Sequence, residues 1–201
     1  NGVKALPGKI YKLNCGLSGL TMRFLIALAA RIPGRQIITG GKRLQERPVK
    51  DLVDSLENMG ARIKYLKKIG FLPLKVLSRK LKPGLIKING SVSSQHVSVI
   101  LMIAPLIGKM QIKIMGKPIS RPYVDMTTEI MRDFGVNVIK KNKNEYFVPV
   151  KQNYTARSYR VEGDYSSAGY FFAIAALTHS VITVCNLNIS SRQADKKFLD
   201  I

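Results

Sequence analysis

The segment RPVKDLVDSLENMGARI (residues 47–63) has a counterpart later in the chain, RPYVDMTTEIMRDFGVNV (residues 121–138). In each copy the proline suits the first turn of a helix, where its missing N–H group costs nothing. Apolar residues then recur at helical spacing. Gly60 in the first copy and Gly135 in the second stand where a helix would end. The two copies therefore predict two equivalent helices, each followed by a strand.

A second repeated unit consists of a glycine, then small or hydroxyl residues, then an apolar helix. It begins at Gly16, Gly90 and Gly163, so the spacing is 74 and then 73 residues. We expect strands between the helices, at residues 36–39, 74–77, 85–88, 111–115, 146–150 and 181–187. This order predicts an α/β protein built from duplicated units. The period is longer than the roughly 20–50 residues of most solenoids, which favours a globular arrangement of repeated subdomains.

The glycine-containing helix starts indicate an anionic ligand. A helix N-terminus exposes unpaired N–H groups and partial positive charge, and a glycine lets an anion approach the backbone. One such start is weak evidence, because serine and threonine are ordinary N-caps. Three starts at one period predict convergence on one anion-rich position. Arg23 lies one turn into the first helix, and Arg47 and Arg121 directly precede prolines; guanidinium groups suit phosphate and carboxylate.

Composition limits the classes of protein. The chain has 201 residues, 46% of them hydrophobic, enough for one large domain or for one domain and part of another. The net charge of +21 suggests nucleic acid, a membrane surface or anionic metabolites as partners. The lysines, however, are spread along the chain, with small clusters at residues 67–68 and 140–143 and no interleaved aromatic residues. We interpret them as solvated surface and expect neither nucleic-acid nor membrane partners.

The cysteines and histidines do not form a metal-binding pattern. Cys15 and Cys185 lack a CxxC partner and lie far in sequence from His96 and His179. We therefore expect no metal site and interpret both cysteines as buried, reduced thiols.

The same motifs resemble those of the EPSP synthase (3-phosphoshikimate 1-carboxyvinyltransferase) family. Residues 14–23 resemble its Asn-x-Gly-Thr-x-Met-Arg segment, residues 43–48 its Arg-Met-x-Glu-Arg-Pro motif and residues 193–195 a later Gln-Gly-Asp. Residues 90–95 match Gly-Ser-Val-Ser-Ser-Gln, residues 120–125 match Ser-Lys/Arg-Pro-Tyr-Ile-Asp and residues 161–168 match Val-Glu-Gly-Asp-x-Ser-Ser-Ala. The matches follow family order over almost the whole chain. Leu20, where the family has a small or hydroxyl residue, and Ala194, where it has glycine, depart from the pattern.

The resemblance implies a fold and a reaction. The family has two domains, each of three βαβαββ units of the inside-out α/β barrel type. Residues 1–161 would form most of the first, shikimate 3-phosphate-binding domain, and residues 162–201 the start of the second. The family transfers the enolpyruvyl group of phosphoenolpyruvate to the 5-hydroxyl of shikimate 3-phosphate, giving EPSP and phosphate in aromatic amino-acid biosynthesis, with no cofactor. We expect a cytoplasmic monomer; a plastid location would follow if a transit peptide preceded the chain.

The resemblance also assigns site residues. The implied shikimate 3-phosphate site contains Ser93, Ser94, Gln95, Ser120 and Tyr123. The implied phosphoenolpyruvate site contains Gly19, Arg47 and Gln95, with Arg23 and Arg121 as supporting residues. Leu20, beside Gly19, could narrow this second site.

Some family features have no counterpart here, namely an initial Lys-Ser-x-x-x-Arg segment and the Asp and Glu of the second domain that perform proton transfer. Asp51, Asp125 and Glu46 are interpreted as structural partners, so we expect no catalytic residue in this chain and no turnover from it alone. Two alternatives stay open. One is a basic nucleic-acid-binding module that depends on its lysine cluster at residues 140–143, and the other is a non-catalytic anion-binding remnant.

Overall fold

The computed structural model describes residues 10–77, 80–89, 93–116 and 120–200. The first unit contains β1 (Ile10–Asn14), α1 (Gly19–Arg31), β2 (Arg35–Thr39), α2 (Lys42–Gln45), α3 (Lys50–Asn58), β3 (Arg62–Tyr65) and β4 (Leu74–Leu77). The second contains β5 (Gly84–Asn89), α4 (Ser94–Ile107), β6 (Met110–Met115), α5 (Arg121–Asp133), β7 (Ile139–Asn142) and β8 (Glu145–Val148). The predicted duplication of a βαβαββ unit is confirmed. Residues 90–92, which open the second glycine-containing helix start, lie outside the described residues.

The two units have the same sheet topology. Their strand orders are β1-β2-β4-β3 and β5-β6-β8-β7. In each sheet the first two strands in this order are parallel, and the remaining pairs are antiparallel. Helices α1 and α4 begin just beyond the carboxyl ends of β1 and β5. The chain leaving the carboxyl ends of β2 and β6 leads to α2 and α5, so all four helices follow the same edge of their sheets, the edge at the carboxyl ends of the parallel strands. Ligands of α/β proteins usually bind at this edge of a sheet.

The predicted ends of α3 and α5 are confirmed, and the two ends have the same geometry. Gly60 and Gly135 have φ values of 97° and 82°, a left-handed conformation that favours glycine. Their N–H groups donate to the carbonyls of Glu57 (2.8 Å) and Arg132 (2.9 Å). The residue after each glycine donates to the carbonyl five residues earlier, which completes a Schellman motif.

Helix α4 lies at the centre of the apolar core. Its residues Val97, Ile100, Leu101 and Ala104 are buried, and both α1 and α5 pack against it. The side chain of Arg31 donates from Nε (3.2 Å) and Nη2 (3.0 Å) to the carbonyl of Leu106, near the end of α4. Because α1 belongs to the first unit and α4 to the second, these contacts hold the two units together.

The chain after β8 contains α6 (Tyr165–Thr178) and a 3-10 helix (Ala194–Asp200). The strand expected at residues 181–187 is wrong: in the described part of this segment these residues pair with no other strand, and Val181 is 97% exposed. An apolar run forms a strand only where a partner supplies backbone hydrogen bonds. The expectation of two buried thiols is right for Cys15 and wrong for Cys185, which is exposed.

Several contacts attach this C-terminal segment to the second unit. The Tyr154 hydroxyl donates to the carbonyl of Met102 (2.9 Å). Arg192 lies 2.8 Å from both Glu129 and Asp133 on α5. No helix among the described residues is long and apolar enough to cross a membrane.

Candidate anion-binding site

A cavity of about 890 Å³ opens between α1, α4 and α5. Among its lining residues are all five that the sequence assigned to the shikimate 3-phosphate site, namely Ser93, Ser94, Gln95, Ser120 and Tyr123. They come from the first turns of α4 and α5, which begin near the carboxyl ends of β5 and β6. The structure thus brings these five residues together, and their role in binding stays a prediction.

Three serines, Ser93, Ser94 and Ser120, form the hydroxyl end of the cavity. Serine hydroxyl groups at this end are available to donate hydrogen bonds to a ligand. Ser93 is the N-cap of α4 and accepts a hydrogen bond from the Gln95 N–H (3.2 Å), so its own hydroxyl proton is not used in capping. Ser120 occupies the N-cap position of α5 but makes no capping bond with its side chain. An oxyanion at this end would meet serine hydroxyls and the positive end of α4.

The rest of the cavity wall is largely apolar. Leu20 and Phe24 of α1, Met102 of α4 and Met126 of α5 are among the residues that line it. Leu20 is 52% exposed; its predicted effect on the phosphoenolpyruvate position beside Gly19 stays a prediction. A ligand with a charged group and a less polar body would match this division.

Two arginine side chains meet above Gly19, at the start of α1. A methyl group built on Gly19 would lie 2.7 Å from Nη1 of Arg47 and 2.9 Å from Nη1 of Arg23. Neither arginine forms a salt bridge with any carboxylate among the described residues. Burial, and secondarily the charge of Arg47, lowers the pKa of Arg23 below its ordinary value. Two uncompensated guanidinium groups over a glycine favour an anion at this position.

Arg23 connects the arginine pair (Arg23 and Arg47) to the cavity. Its Nη1 donates to the carbonyl of Gly19 (3.2 Å) and to Oε1 of Gln95 (2.9 Å), and its Nε donates to Nε2 of His96 (3.3 Å). Three of the five N–H donors of Arg23 are thus used within the protein, and its supporting role stays a prediction. Arg47 lies beside Gly19 rather than in the cavity wall and makes no such internal bond in the described structure.

His96 was missed as a site residue by sequence reasoning. It is 1% exposed, and burial, together with the charge of Arg23, lowers its pKa to about 4, while the charge of Asp51 acts in the opposite direction. The imidazole is therefore neutral at physiological pH. The sequence did contain a signal for this residue: His96 directly follows the predicted site residue Gln95 and is a polar residue in a largely apolar helix.

Asp195 was also missed as a site residue, although it belongs to the Gln-x-Asp motif. Its Oδ2 accepts hydrogen bonds from the hydroxyls of Tyr123 and Ser166, the latter at 2.7 Å. The bond to Asp195, and then burial, raises the pKa of Tyr123 above its ordinary value. The bonds from Tyr123 and Ser166 lower the pKa of Asp195.

The third glycine-containing helix start is not open to an anion. Asp164 caps α6 and accepts from the N–H groups of Ser166 (3.0 Å) and Ser167 (3.3 Å). The chain's own carboxylate thus occupies the position that an anionic ligand would take. The start of α6 does lie near the cavity, since Ser166 and Tyr123 both donate to Asp195, but Asp164 caps it. Binding of an anion at the first two starts stays a prediction.

Arg121 and Asp125 have structural partners. Nη2 of Arg121 donates to Oδ1 of Asn144 (3.0 Å) in the turn between β7 and β8, so Arg121 supports that hairpin. Asp125 lies 2.6 Å from Nζ of Lys140 and accepts from the Tyr146 hydroxyl (3.4 Å). No cluster of His, Cys, Asp and Glu able to hold a metal ion occurs in the described ranges.

With this geometry in view, the comparisons with known proteins identify the family. The sequence model of EPSP synthase (3-phosphoshikimate 1-carboxyvinyltransferase) matches residues 2–201. The chain belongs to the EPSP synthase family. It is 42% identical over 192 residues to the 3-phosphoshikimate 1-carboxyvinyltransferase of Sulfurovum sp. (strain NBC37-1), covering 94% of this chain and 45% of that protein. The match to the Haemophilus ducreyi protein of the same name is 43% identical and covers 92% and 44%.

A solved structure gives the same result for the fold of this EPSP synthase family member. The EPSP synthase from Acinetobacter baumannii matches with a TM-score of 0.67 and 25% identity, over 83% of this chain and 37% of that one. The two βαβαββ units are therefore part of an enolpyruvyl transferase fold. The chain spans a little under half the length of the curated relatives named above.

Proposed function

We propose that the protein carrying this chain transfers the enolpyruvyl group of phosphoenolpyruvate to the 5-hydroxyl of shikimate 3-phosphate and releases phosphate. One observation carries the proposal: a hydrogen bond between Arg23 and Gln95 connects two groups of residues that suit anions. The hydroxyl end lies in the cavity, the arginine pair lies over Gly19, and Arg23 bonds to Gln95 between them. The reaction joins two phosphorylated substrates, so a site with two anion-binding positions suits it.

The hydroxyl end would bind the phosphate of shikimate 3-phosphate. Ser93, Ser94 and Ser120 offer hydroxyl donors, and the start of α4 adds partial positive charge. Tyr123 lies in the same wall, where its ring can contact the carbocycle of the substrate while its hydroxyl is held by Asp195.

The arginine pair would bind phosphoenolpyruvate. Arg47 has no hydrogen-bond or salt-bridge partner for its guanidinium group among the described residues, and the missing side chain of Gly19 lets Nη1 of Arg47 and Nη1 of Arg23 approach the backbone at the start of α1. Gln95 lines the cavity and bonds to Arg23, so it would lie between the two substrates.

This chain would contribute binding and orientation to the reaction. Holding two reactants in the correct geometry can supply several kcal/mol, about 7–11 in favourable cases. No carboxylate of the described residues lines the cavity, so we assign no proton transfer to them.

We further propose that residues 1–161 form most of the shikimate 3-phosphate-binding domain and residues 162–201 the start of a second domain. A cytoplasmic monomer without nucleic-acid or membrane partners also remains part of the proposal.

The lysine cluster gives the nucleic-acid alternative little support. Nζ of Lys140 is paired with Asp125 at 2.6 Å, and Nζ of Lys141 lies over the ring of Phe147 at 5.1 Å. A titration with duplex DNA at several salt concentrations would detect binding of this kind by its steep salt dependence.

Calorimetric titration of the full protein with each substrate tests the proposal. We expect Ser93→Ala to weaken shikimate 3-phosphate and Arg47→Ala chiefly to weaken phosphoenolpyruvate, each on the order of tenfold. Arg62→Ala, at an exposed position on β3, is the matched arginine control and should bind both substrates normally. Equal affinities in the wild type and the two site variants would overturn the assignment.

A further inference from the structure

We propose that His96 is a positioning residue that acts through Arg23 to hold the Gln95 amide with its NH₂ group toward the substrates. The inference rests on the proposed function. His96 itself is buried and would touch neither substrate. It acts through two hydrogen bonds, from Arg23 to His96 and from Arg23 to Gln95.

The first step concerns the tautomer of His96. A guanidinium group has only donors, so the bond from Nε of Arg23 requires a lone pair on Nε2 of His96. The proton of the neutral imidazole must then be on Nδ1, which is buried and has no acceptor among the described residues. The side chain therefore takes the tautomer that serves Arg23 and leaves its own donor unsatisfied.

The second step concerns the position of Arg23. Arg47 carries the same charge and approaches the same point above Gly19, so the two guanidinium groups repel each other. His96 holds Arg23 at Nε without supplying a negative charge. A carboxylate at residue 96 would also hold Arg23, but it would neutralise part of the positive charge that an anionic substrate needs.

The third step concerns Gln95. Its Oε1 accepts from Arg23, which leaves the NH₂ group as the part of the amide available to a ligand. A flipped amide would place its carbonyl oxygen toward an anionic substrate, which is unfavourable. The network of His96, Arg23 and Gln95 therefore makes Gln95 a donor to whatever occupies the cavity.

A pair of substitutions in the full protein separates this role from a packing role. His96→Phe keeps a ring of similar size but has no acceptor, and His96→Gln has an amide oxygen that can reach Arg23. We expect His96→Phe to weaken binding of shikimate 3-phosphate and phosphoenolpyruvate by on the order of tenfold. We expect His96→Gln to stay within about threefold of the wild type.

The matched control is Ile100→Val, one turn further along α4 and fully buried. It should lose stability in thermal unfolding without changing either affinity. Wild-type affinities in His96→Phe, or equal losses in folded His96→Phe and His96→Gln, would overturn the inference.

A spectroscopic measurement on the wild type does not depend on either substrate. The ¹⁵N chemical shifts of the His96 imidazole should show a proton on Nδ1 and a bare Nε2. A proton on Nε2 would refute the inference even if the proposed function holds. Failure of the wild type to bind the substrates, together with an Nδ1 proton, would instead refute the proposed function and leave the contact between Arg23 and His96 standing.

Discussion

Nη1 of Arg23, on α1, lies 2.9 Å from Oε1 of Gln95, on α4. This bond crosses from the first βαβαββ unit to the second, and it links the arginine pair to the cavity. Each unit alone would present one anion-binding helix start, which is a common feature. The packing of α1 against α4 converts two ordinary starts into one site with two positions.

Substitution of Gly19 should damage the phosphoenolpyruvate position. The methyl group of Gly19→Ala would lie within 3 Å of both Arg47 and Arg23, so at least one guanidinium group must move. We expect affinity for phosphoenolpyruvate to fall by on the order of tenfold, with a smaller change for shikimate 3-phosphate, in calorimetric titrations. Gly169→Ala on α6 has ordinary packing space and is the matched control; if both variants bind alike, Gly19 does not have this role.

His96 should make stability depend on pH. Its pKa is lowered from 6.5 in the unfolded chain to about 4 in the folded protein, so the unfolded state binds the proton first. The free energy of unfolding should therefore fall as pH decreases from about 6.5 to about 4, by about 3 kcal/mol from this residue. Burial is the main cause of the lowered pKa, the charge of Arg23 adds to it, and the charge of Asp51 opposes it.

Urea unfolding at pH 7 and pH 5 measures this effect. His96→Gln lacks the titrating ring and should lose less stability between the two pH values than the wild type. The same loss in both proteins would show that other groups cause the pH dependence.

Asp195 should control the ionisation of Tyr123. Because Asp195 accepts the Tyr123 hydroxyl bond and raises the pKa of that group, Asp195→Asn should lower it toward the ordinary tyrosine value. Ultraviolet difference titration of the wild type against Asp195→Asn measures the change, and Tyr123→Phe identifies the signal. An unchanged titration curve in Asp195→Asn would mean that the two side chains do not bond in solution.

The two helix-ending glycines form a matched pair for stability. Both have positive φ, so alanine is strained at either position, at a cost of about 1 kcal/mol. A methyl group on Gly135 would also lie 2.8 Å from Oγ1 of Thr155, whereas one on Gly60 has contacts no closer than 3.8 Å. Urea unfolding should show a larger loss for Gly135→Ala than for Gly60→Ala; an equal or smaller loss would contradict the close contact with Thr155.

The sequence predicts the ends of α3 and α5 and the start of α5, because these are decided locally. The start of α3 differs from the prediction: the helix begins at Lys50 with Val49 as its cap, so Pro48 lies before the helix and not in its first turn. Pro122 in the first turn of α5 and the glycines after α3 and α5 impose backbone constraints that need no distant partner. The expected strand at residues 181–187 failed for the opposite reason. A strand depends on a partner, and sequence pattern alone does not show whether one is present.

The candidate site was predictable only in part. Ser93, Ser120 and Arg47 stand in motifs at helix starts, so their residue types and spacing suggested an anion site. The role of His96 depends on a contact between residues 73 positions apart, and the bond that the Tyr123 hydroxyl donates to Asp195 joins residues 72 positions apart. Such contacts follow from the packing of whole units, which the motifs do not describe.

A crystal structure of the full protein with shikimate 3-phosphate bound tests the central claim most directly. We predict that the phosphate lies within hydrogen-bonding distance of the Ser93, Ser94 and Ser120 hydroxyls, with the NH₂ group of Gln95 directed toward the ligand. Location of the phosphate away from the cavity between α1, α4 and α5, for example at the lysine cluster of residues 140–143, would contradict the account.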